Sequence, residues 1–223
     1  MAENTNEKVE YWDLIDRKGK FVQRMRRGEG FVPPGLYHAT VEIVATDMAG
    51  HILVTQRDPM KNHDAGKWEF PAGSVISGET VQRAAIRELF EETGLKPAKL
   101  SKIQEKWVPG HRPWLPGMVR VAYLAYIPTL LDEKIILQEG ETCGYRFITI
   151  SEWYTMIRQG VFAENRIALY EEHFYATLEK AVGELNPSAA PADAQAPAKK
   201  KIVKKNFGVM VPSKQEDEDD LRI

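Results

Sequence analysis

The stretch Gly73-Ser-Val-Ile-Ser-Gly-Glu79-Thr-Val-Gln-Arg-Ala-Ala-Ile-Arg87-Glu88-Leu-Phe-Glu91-Glu92-Thr-Gly94-Leu95 decides how the rest of this 223-residue chain is read. Val81, Ala85 and Leu89 recur at i, i+4 and i+8, which predicts a helix over residues 80–93 with one apolar stripe. Gly94 stands where a left-handed helix stop is expected, and Pro97 bars continuation. Glu88, Glu91 and Glu92 are spaced i, i+3, i+4, so their carboxylates crowd one helix face. Like charges at that spacing repel by a few tenths of a kcal/mol per pair. A hard divalent cation such as Mg²⁺ turns that repulsion into coordination and shares its remaining positions with phosphate oxygens. Glu79 lies two turns before Arg87, so contact between them needs the chain to bend back at the helix start. If it does, Glu79 orients Arg87, and Arg87 holds a metal-ligating carboxylate. Gly73 and Gly78 let the preceding loop turn tightly, and the Ala72 carbonyl there could also reach the metal.

A bare E-x-x-E-E run is ordinarily a solvated acidic helix face. Here Gly73, Glu79, Arg87, Glu88, Glu91, Glu92 and Gly94 all stand at fixed spacing. With ordinary residue frequencies, such a chance match is on the order of 10⁻⁵ per chain. At these residues the sequence resembles the Nudix family, whose box runs Gly, Glu, Arg-Glu, aliphatic, Glu-Glu, Gly, aliphatic. Every position is met, with Leu89 and Leu95 as the aliphatics. The resemblance implies an α/β fold, an α/β/α sandwich around a mixed sheet. It implies hydrolysis of the diphosphate linkage of a nucleoside diphosphate derivative or similar diphosphate, with Mg²⁺ (Mn²⁺ as an alternative) as cofactor. It assigns Glu88, Glu91 and Glu92 to the metal, makes Glu88 or a remote Glu the general base, and makes Arg87 an orienting residue. The cation would neutralise phosphate oxygens and acidify a water, so most of the catalysis would be electrostatic and positional.

Outward from the box, residues 1–8 read as a frayed start. Glu10–Asp16 and Phe21–Arg26 read as strands around Lys18-Gly19-Lys20. Tyr37–Thr46 and Ile52–Arg57 read as a hairpin of buried strands around Ala49-Gly50. Residues 58–68 are a loop, Trp68–Pro71 a short extended piece, and Leu100–Val108, Val119–Ile127 and Gly144–Ile150 further strands. Ser151 is an expected N-cap for a helix beginning at Glu152, and a second helix is expected from 164 to 182. These divide the chain into an N-terminal strand pair and loop (1–35), the Nudix-like domain (36–183) and a flexible low-complexity tail (184–223).

Further site candidates lie in loops. Glu141, six residues before Phe147, is preferred over Glu139 as a late catalytic carboxylate, by likeness to the family. Arg57 ends a strand and could reach a phosphate, as could Arg112, while Trp114 could stack on a base. The bland alternative for each is a surface or packing role. Trp68 and Phe70 are expected in the core, His38 and His63 in structural roles, and Cys143 as an inert small hydrophobe.

Composition bounds the rest. A net charge of −2 and a sequence pI near 6.2 lack the basic bias of a nucleic-acid binder. A single cysteine allows no internal disulfide, and no stretch approaches the roughly 18 apolar residues of a membrane span. The expectation is a cytoplasmic enzyme whose partner is a small-molecule diphosphate, with no nucleic acid and no membrane. The N-terminal strands and the tail could both serve a homodimer. Two other readings compete. The strand pair, Tyr37-His38 and Gln56-Arg57 are also similar to the isopentenyl-diphosphate isomerase branch of the family. That enzyme draws a cysteine from the loop before the box helix, and Asp58–Lys67 has none. A non-catalytic binding module would be expected to have lost a metal carboxylate, and none is lost here.

Overall fold

The structure is a computed structural model that describes residues 9–29, 33–110 and 117–185. Strand β3 (Tyr37–Thr46) is its spine. Alternate β3 side chains face opposite layers. Val41, Ile43 and Ala45 pack with Ala84, Ala85 and Leu89 of helix α1 (Val81–Thr93), whereas Val44 packs with Phe70, Trp153 and Phe174 in a second cluster. That second cluster is closed by α2 (Ile150–Arg158) and α4 (Glu172–Leu185), with the short α3 (Glu164–Ile167) between them. A mixed sheet between helical layers is the α/β/α arrangement expected from the box.

The pairing of the strands differs from a plain hairpin. β4 (Ile52–Arg57) meets β3 at one pair, Thr46↔Ile52, and then diverges. β3 instead runs parallel to β8 (Gly117–Tyr126) from Tyr37↔Gly117 to Thr46↔Tyr126, and β8 pairs antiparallel with β7 (Lys99–Val108). β4 takes β9 (Thr142–Ile148) and β5 (Trp68–Glu69) as neighbours. The sheet thus splays at the end of β4, and the stretch from β5 to α1 lies across the opening.

Several boundaries move for identifiable reasons. The cap of α2 is Thr149, not Ser151: its hydroxyl accepts the Glu152 N–H at 3.2 Å, and the Glu152 carboxylate accepts the Thr149 N–H at 2.7 Å. That reciprocal pair fixes the helix start. The single helix expected over 164–182 is broken at residues 168–171. The Gln104 side chain occupies the break, donating to the Leu169 carbonyl and accepting from the Glu171 N–H, both at 3.0 Å. A tertiary partner there takes backbone groups that a continuous helix would have paired internally. Trp68 is only half-buried, with Arg146 over its ring at 4.9 Å, whereas Phe70 is fully buried. Cys143 is a free, exposed thiol.

The expected N-terminal strands are β1 (Tyr11–Ile15) and β2 (Phe21–Arg26), paired antiparallel. β1 joins β3 at Ile15↔Tyr37. Trp12 stacks on His38, with ring centroids 4.1 Å apart and planes 11° from parallel. Burial, reinforced by the Arg27 charge, lowers the His38 pKa from its ordinary 6.5 to about 4. The unfolded chain therefore takes up a proton that the folded chain refuses between those values. Stability from keeping this ring neutral is complete above pH 6.5 and is lost as pH falls from 6.5 towards 4, by on the order of 3 kcal/mol. Denaturant unfolding across pH 7 to 4 is expected to show that slope in the wild type and a shallower one in His38→Phe.

Candidate functional site

The box forms three consecutive pieces: β6 (Ala72–Ser74), a turn over residues 75–80, and α1. Residue 73 is in a strand, not a loop. β6 pairs antiparallel with β3 through Val41↔Gly73 and Glu42↔Ala72. Gly73 leaves the space that Glu88 occupies. A Cβ built there would stand 2.0 Å from the carboxyl carbon of Glu88. Gly78 is required for conformation, with φ at +80° in the turn. Thr80 caps α1, accepting the Arg83 N–H at 3.3 Å, and Gly94 ends it in the left-handed region at φ 75°.

The chain does bend back, so Glu79 reaches Arg87. The Glu79 carboxylate accepts from Arg87 Nε at 3.0 Å and from Nη2 at 2.8 Å, a bidentate pair. Nη2 also donates to the Ser74 carbonyl at 3.0 Å, and Nη1 donates to Glu88 and to Glu91, each at 2.8 Å. Burial acts to lower the Arg87 pKa, but Glu79, Glu88 and Glu91 more than reverse it and raise it.

The three box carboxylates sit at different depths. Glu91 is exposed, Glu88 half-buried and Glu92 buried at 8% exposure. Burial raises the Glu88 pKa against the lowering effect of Arg87, and the Glu91 and Glu10 charges add to the rise. Burial holds the Glu92 pKa well above the ordinary value, helped by the Glu69 and Glu88 charges and opposed by the Ala72 N–H, which Glu92 accepts at 3.3 Å. Among the described residues, no three His, Cys, Asp or Glu side chains are already gathered as a ready cage for a metal ion. Instead, Arg87 holds Glu88 and Glu91, and Glu92 is turned to the backbone of Ala72.

The donor set nevertheless suits a hard divalent cation. It is all oxygen, burial raises the pKa of the half-buried Glu88 and of the buried Glu92, and one guanidinium serves both Glu88 and Glu91. Gly73→Ala tests the packing. Glu88 is a flexible side chain that can move aside, so stability should change by less than about 1 kcal/mol. Displacing Glu88 should nevertheless lower turnover by about 10²-fold. Thermal unfolding and steady-state kinetics on the same preparation separate the two effects.

Of the outlying candidates, Arg57 and Glu141 are neighbours at the end of the β4–β9 pairing, where Arg57 lies opposite Thr142 and the Asp58 N–H donates to the Glu141 carbonyl. Arg57 Nη1 is paired with Glu69 at 2.6 Å, and its Nε donates to the His63 carbonyl at 3.0 Å. Glu69 also takes Arg166 Nε at 3.1 Å. Glu141 is exposed and paired with Lys61 at 2.6 Å. Arg112 and Trp114 lie outside the described residues.

A buried ionic group escaped the sequence reading. Glu42 pairs with Arg120 and accepts the Tyr170 hydroxyl at 2.8 Å, at the boundary of the second core cluster. The signal was Glu42 standing alone in the apolar run of β3. Its partner is set by the parallel register, which places Arg120 opposite Thr40 and so on the same sheet face as Glu42.

A model of the NUDIX domain matches residues 36–169, more than half of the chain. The chain is 26% identical to an isopentenyl-diphosphate Delta-isomerase of Streptomyces coelicolor, covering 68% of this chain and 77% of that protein. It is 26% identical to an RNA pyrophosphohydrolase of Actinobacillus pleuropneumoniae, covering 77% and 84%. It is 33% identical to an uncharacterized Nudix hydrolase of Listeria monocytogenes, covering 69% and 88%. With the complete box built as described and the family model spanning the core strands and α1, this chain belongs to the Nudix hydrolase family.

Proposed function

We propose that the protein is a Mg²⁺-dependent hydrolase, with Mn²⁺ as an alternative ion, that cleaves the diphosphate linkage of a nucleoside diphosphate derivative or similar small diphosphate. The observation that carries this reading is the grouping of Glu88 and Glu91 on Arg87 with Glu92 against β6, the half-buried Glu88 and the buried Glu92 both with raised pKa values. Glu88, Glu91 and Glu92 would hold the ion, joined by the Ala72 carbonyl. A bound divalent cation neutralises phosphate oxygens and lowers the pKa of a coordinated water.

The chain's own groups do the positioning. Glu79 keeps the Arg87 guanidinium in one plane, and Arg87 holds Glu88 and Glu91 from one side. A bound cation would share Glu88 and Glu91 with Arg87 Nη1. Glu88 is one candidate for the general base. Glu141 is the other, and its tie to Lys61 at the surface is one it can exchange for a water. Arg57 is a candidate phosphate ligand. It can trade the His63 carbonyl for a substrate oxygen while keeping Glu69. Arg112 and Trp114 are candidates for phosphate binding and base stacking.

A panel with Mg²⁺ tests the reading: ADP-ribose, dinucleoside polyphosphates, nucleotide sugars, coenzyme A, nucleoside triphosphates, RNA with a 5′ polyphosphate, and isopentenyl diphosphate. Metal-dependent release of phosphate-containing products from a small diphosphate is expected. Cleavage of the RNA alone would shift the substrate class. Formation of the dimethylallyl isomer without hydrolysis would replace the reading with an isomerase.

A further inference from the structure

We propose that Asp13 of the N-terminal hairpin is a positioning residue for the metal-binding carboxylates, acting through the turn that carries Glu79. The inference rests on the metal-dependent reading above. Asp13 lies on β1, outside the residues 36–169 that match the family model. Its Oδ1 accepts the Ser77 hydroxyl at 2.5 Å, and its Oδ2 accepts the Gly78 N–H at 2.8 Å. One residue pair further along, the Tyr11 carbonyl accepts the Ser77 N–H at 2.8 Å. The hairpin therefore holds two consecutive residues of the turn, immediately before Glu79.

From Glu79 the chain of contacts is unbroken. The turn closes on itself through Glu79 N–H to the Ile76 carbonyl at 3.1 Å. Glu79 grips Arg87 twice, and Arg87 Nη1 grips Glu88 and Glu91. Shifting the turn shifts the anchor of Arg87 and with it both carboxylates. Gly78, with φ at +80°, has no side chain to pack the turn against its surroundings, so Asp13 and the Tyr11 carbonyl tie the turn to the hairpin. Asp13 is suited to that role as an anion. Burial works against its charge, but Ser77, Gly78 and Arg24 (Nε at 3.3 Å) outweigh burial and lower its pKa.

A merely structural role would tie the hairpin down and nothing more, so the test must read the site. Mn²⁺ binding to the substrate-free full-length chain, followed by electron paramagnetic resonance, supplies that readout. Asp13→Ala is expected to weaken Mn²⁺ binding about 10-fold and to lower turnover by a similar factor. Asp13→Asn is expected to fall between wild type and Asp13→Ala, because its amide oxygen still accepts from Gly78 and its NH₂ can donate to the Ser77 hydroxyl, but the contact with Arg24 Nε is lost. Ser77→Ala is expected to give a smaller shift in the same direction as Asp13→Ala. Thermal unfolding is measured alongside. Wild-type Mn²⁺ affinity in Asp13→Ala, with or without a fall in Tm, would overturn the inference. If Asp13→Ala fails to fold, wild-type affinity in Ser77→Ala would overturn it instead. A wild-type protein that binds no Mn²⁺ and cleaves no diphosphate would sink the underlying metal reading, which is a separate outcome.

Discussion

Glu88→Gln is expected to lower hydrolytic turnover by about 10³-fold while leaving the protein as stable as wild type or slightly more so. The two halves of that result have one cause. Glu88 is a half-buried carboxylate whose charged form is disfavoured by burial and by its neighbours Glu91 and Glu10. Arg87 offsets this only in part, since the same Nη1 also serves Glu91. A neutral amide of the same shape removes the cost of burying charge and keeps an oxygen that can accept from Arg87. It cannot supply the negative charge that a divalent cation needs. Circular dichroism and thermal unfolding, paired with product release at saturating Mg²⁺, would check it. Wild-type turnover in this variant would remove Glu88 from the metal site.

Arg120→Met is expected to have the largest effect on stability, a loss of about 3–5 kcal/mol. For a domain of this size that corresponds to a fall in Tm on the order of 10 °C. Arg120 is 2% exposed, and its partner Glu42 is fully buried. Glu42 also accepts the Tyr170 hydroxyl, and the Arg120 guanidinium lies over the Tyr170 ring at 5.8 Å. Removing the guanidinium leaves the fully buried Glu42 carboxylate without its paired cation, with the Tyr170 hydroxyl as its hydrogen-bond donor. The double variant Glu42→Met/Arg120→Met should recover most of the loss, because it removes both charges and keeps apolar volume. Denaturant unfolding of the two single variants and the double closes the cycle. A single variant within about 0.5 kcal/mol of wild type would show that the pair contributes nothing.

The site was legible where its chemistry is local. Gly94 and the stripe of Val81, Ala85 and Leu89 mark the helix by spacing alone, and the helix turns Glu88 and Glu91 towards one partner, Arg87. The Glu79–Arg87 contact was legible only as a condition, since it depends on a backward bend of the chain. The sequence reading did not separate the depths of the carboxylates. Glu92 is buried because β6 runs beneath it, and β6 exists because Gly73 pairs with Val41 across the sheet. Arg57 was picked as a phosphate ligand by its place at a strand end, without the knowledge that β5 pairs with β4 and so brings Glu69 to its guanidinium.

The same division holds for the whole protein. By itself the sequence determined the α/β class, most strand positions, the box helix with its glycine stop, and the spacing that sets Glu88, Glu91 and Glu92 together on that helix. These follow from periods of two and 3.6 residues, from glycine conformations and from fixed spacing, all of which act within a few turns of chain. Only the tertiary structure decided that β3 runs parallel to β8 and parts from β4 after one pair. Only it matched Glu42 with Arg120, broke the last helix on Gln104, and set Asp13 of a distant hairpin against the turn before Glu79. Those contacts join residues tens of positions apart. Their energies come from burying charge and backbone groups that must find partners wherever the fold brings them, so no local pattern records them.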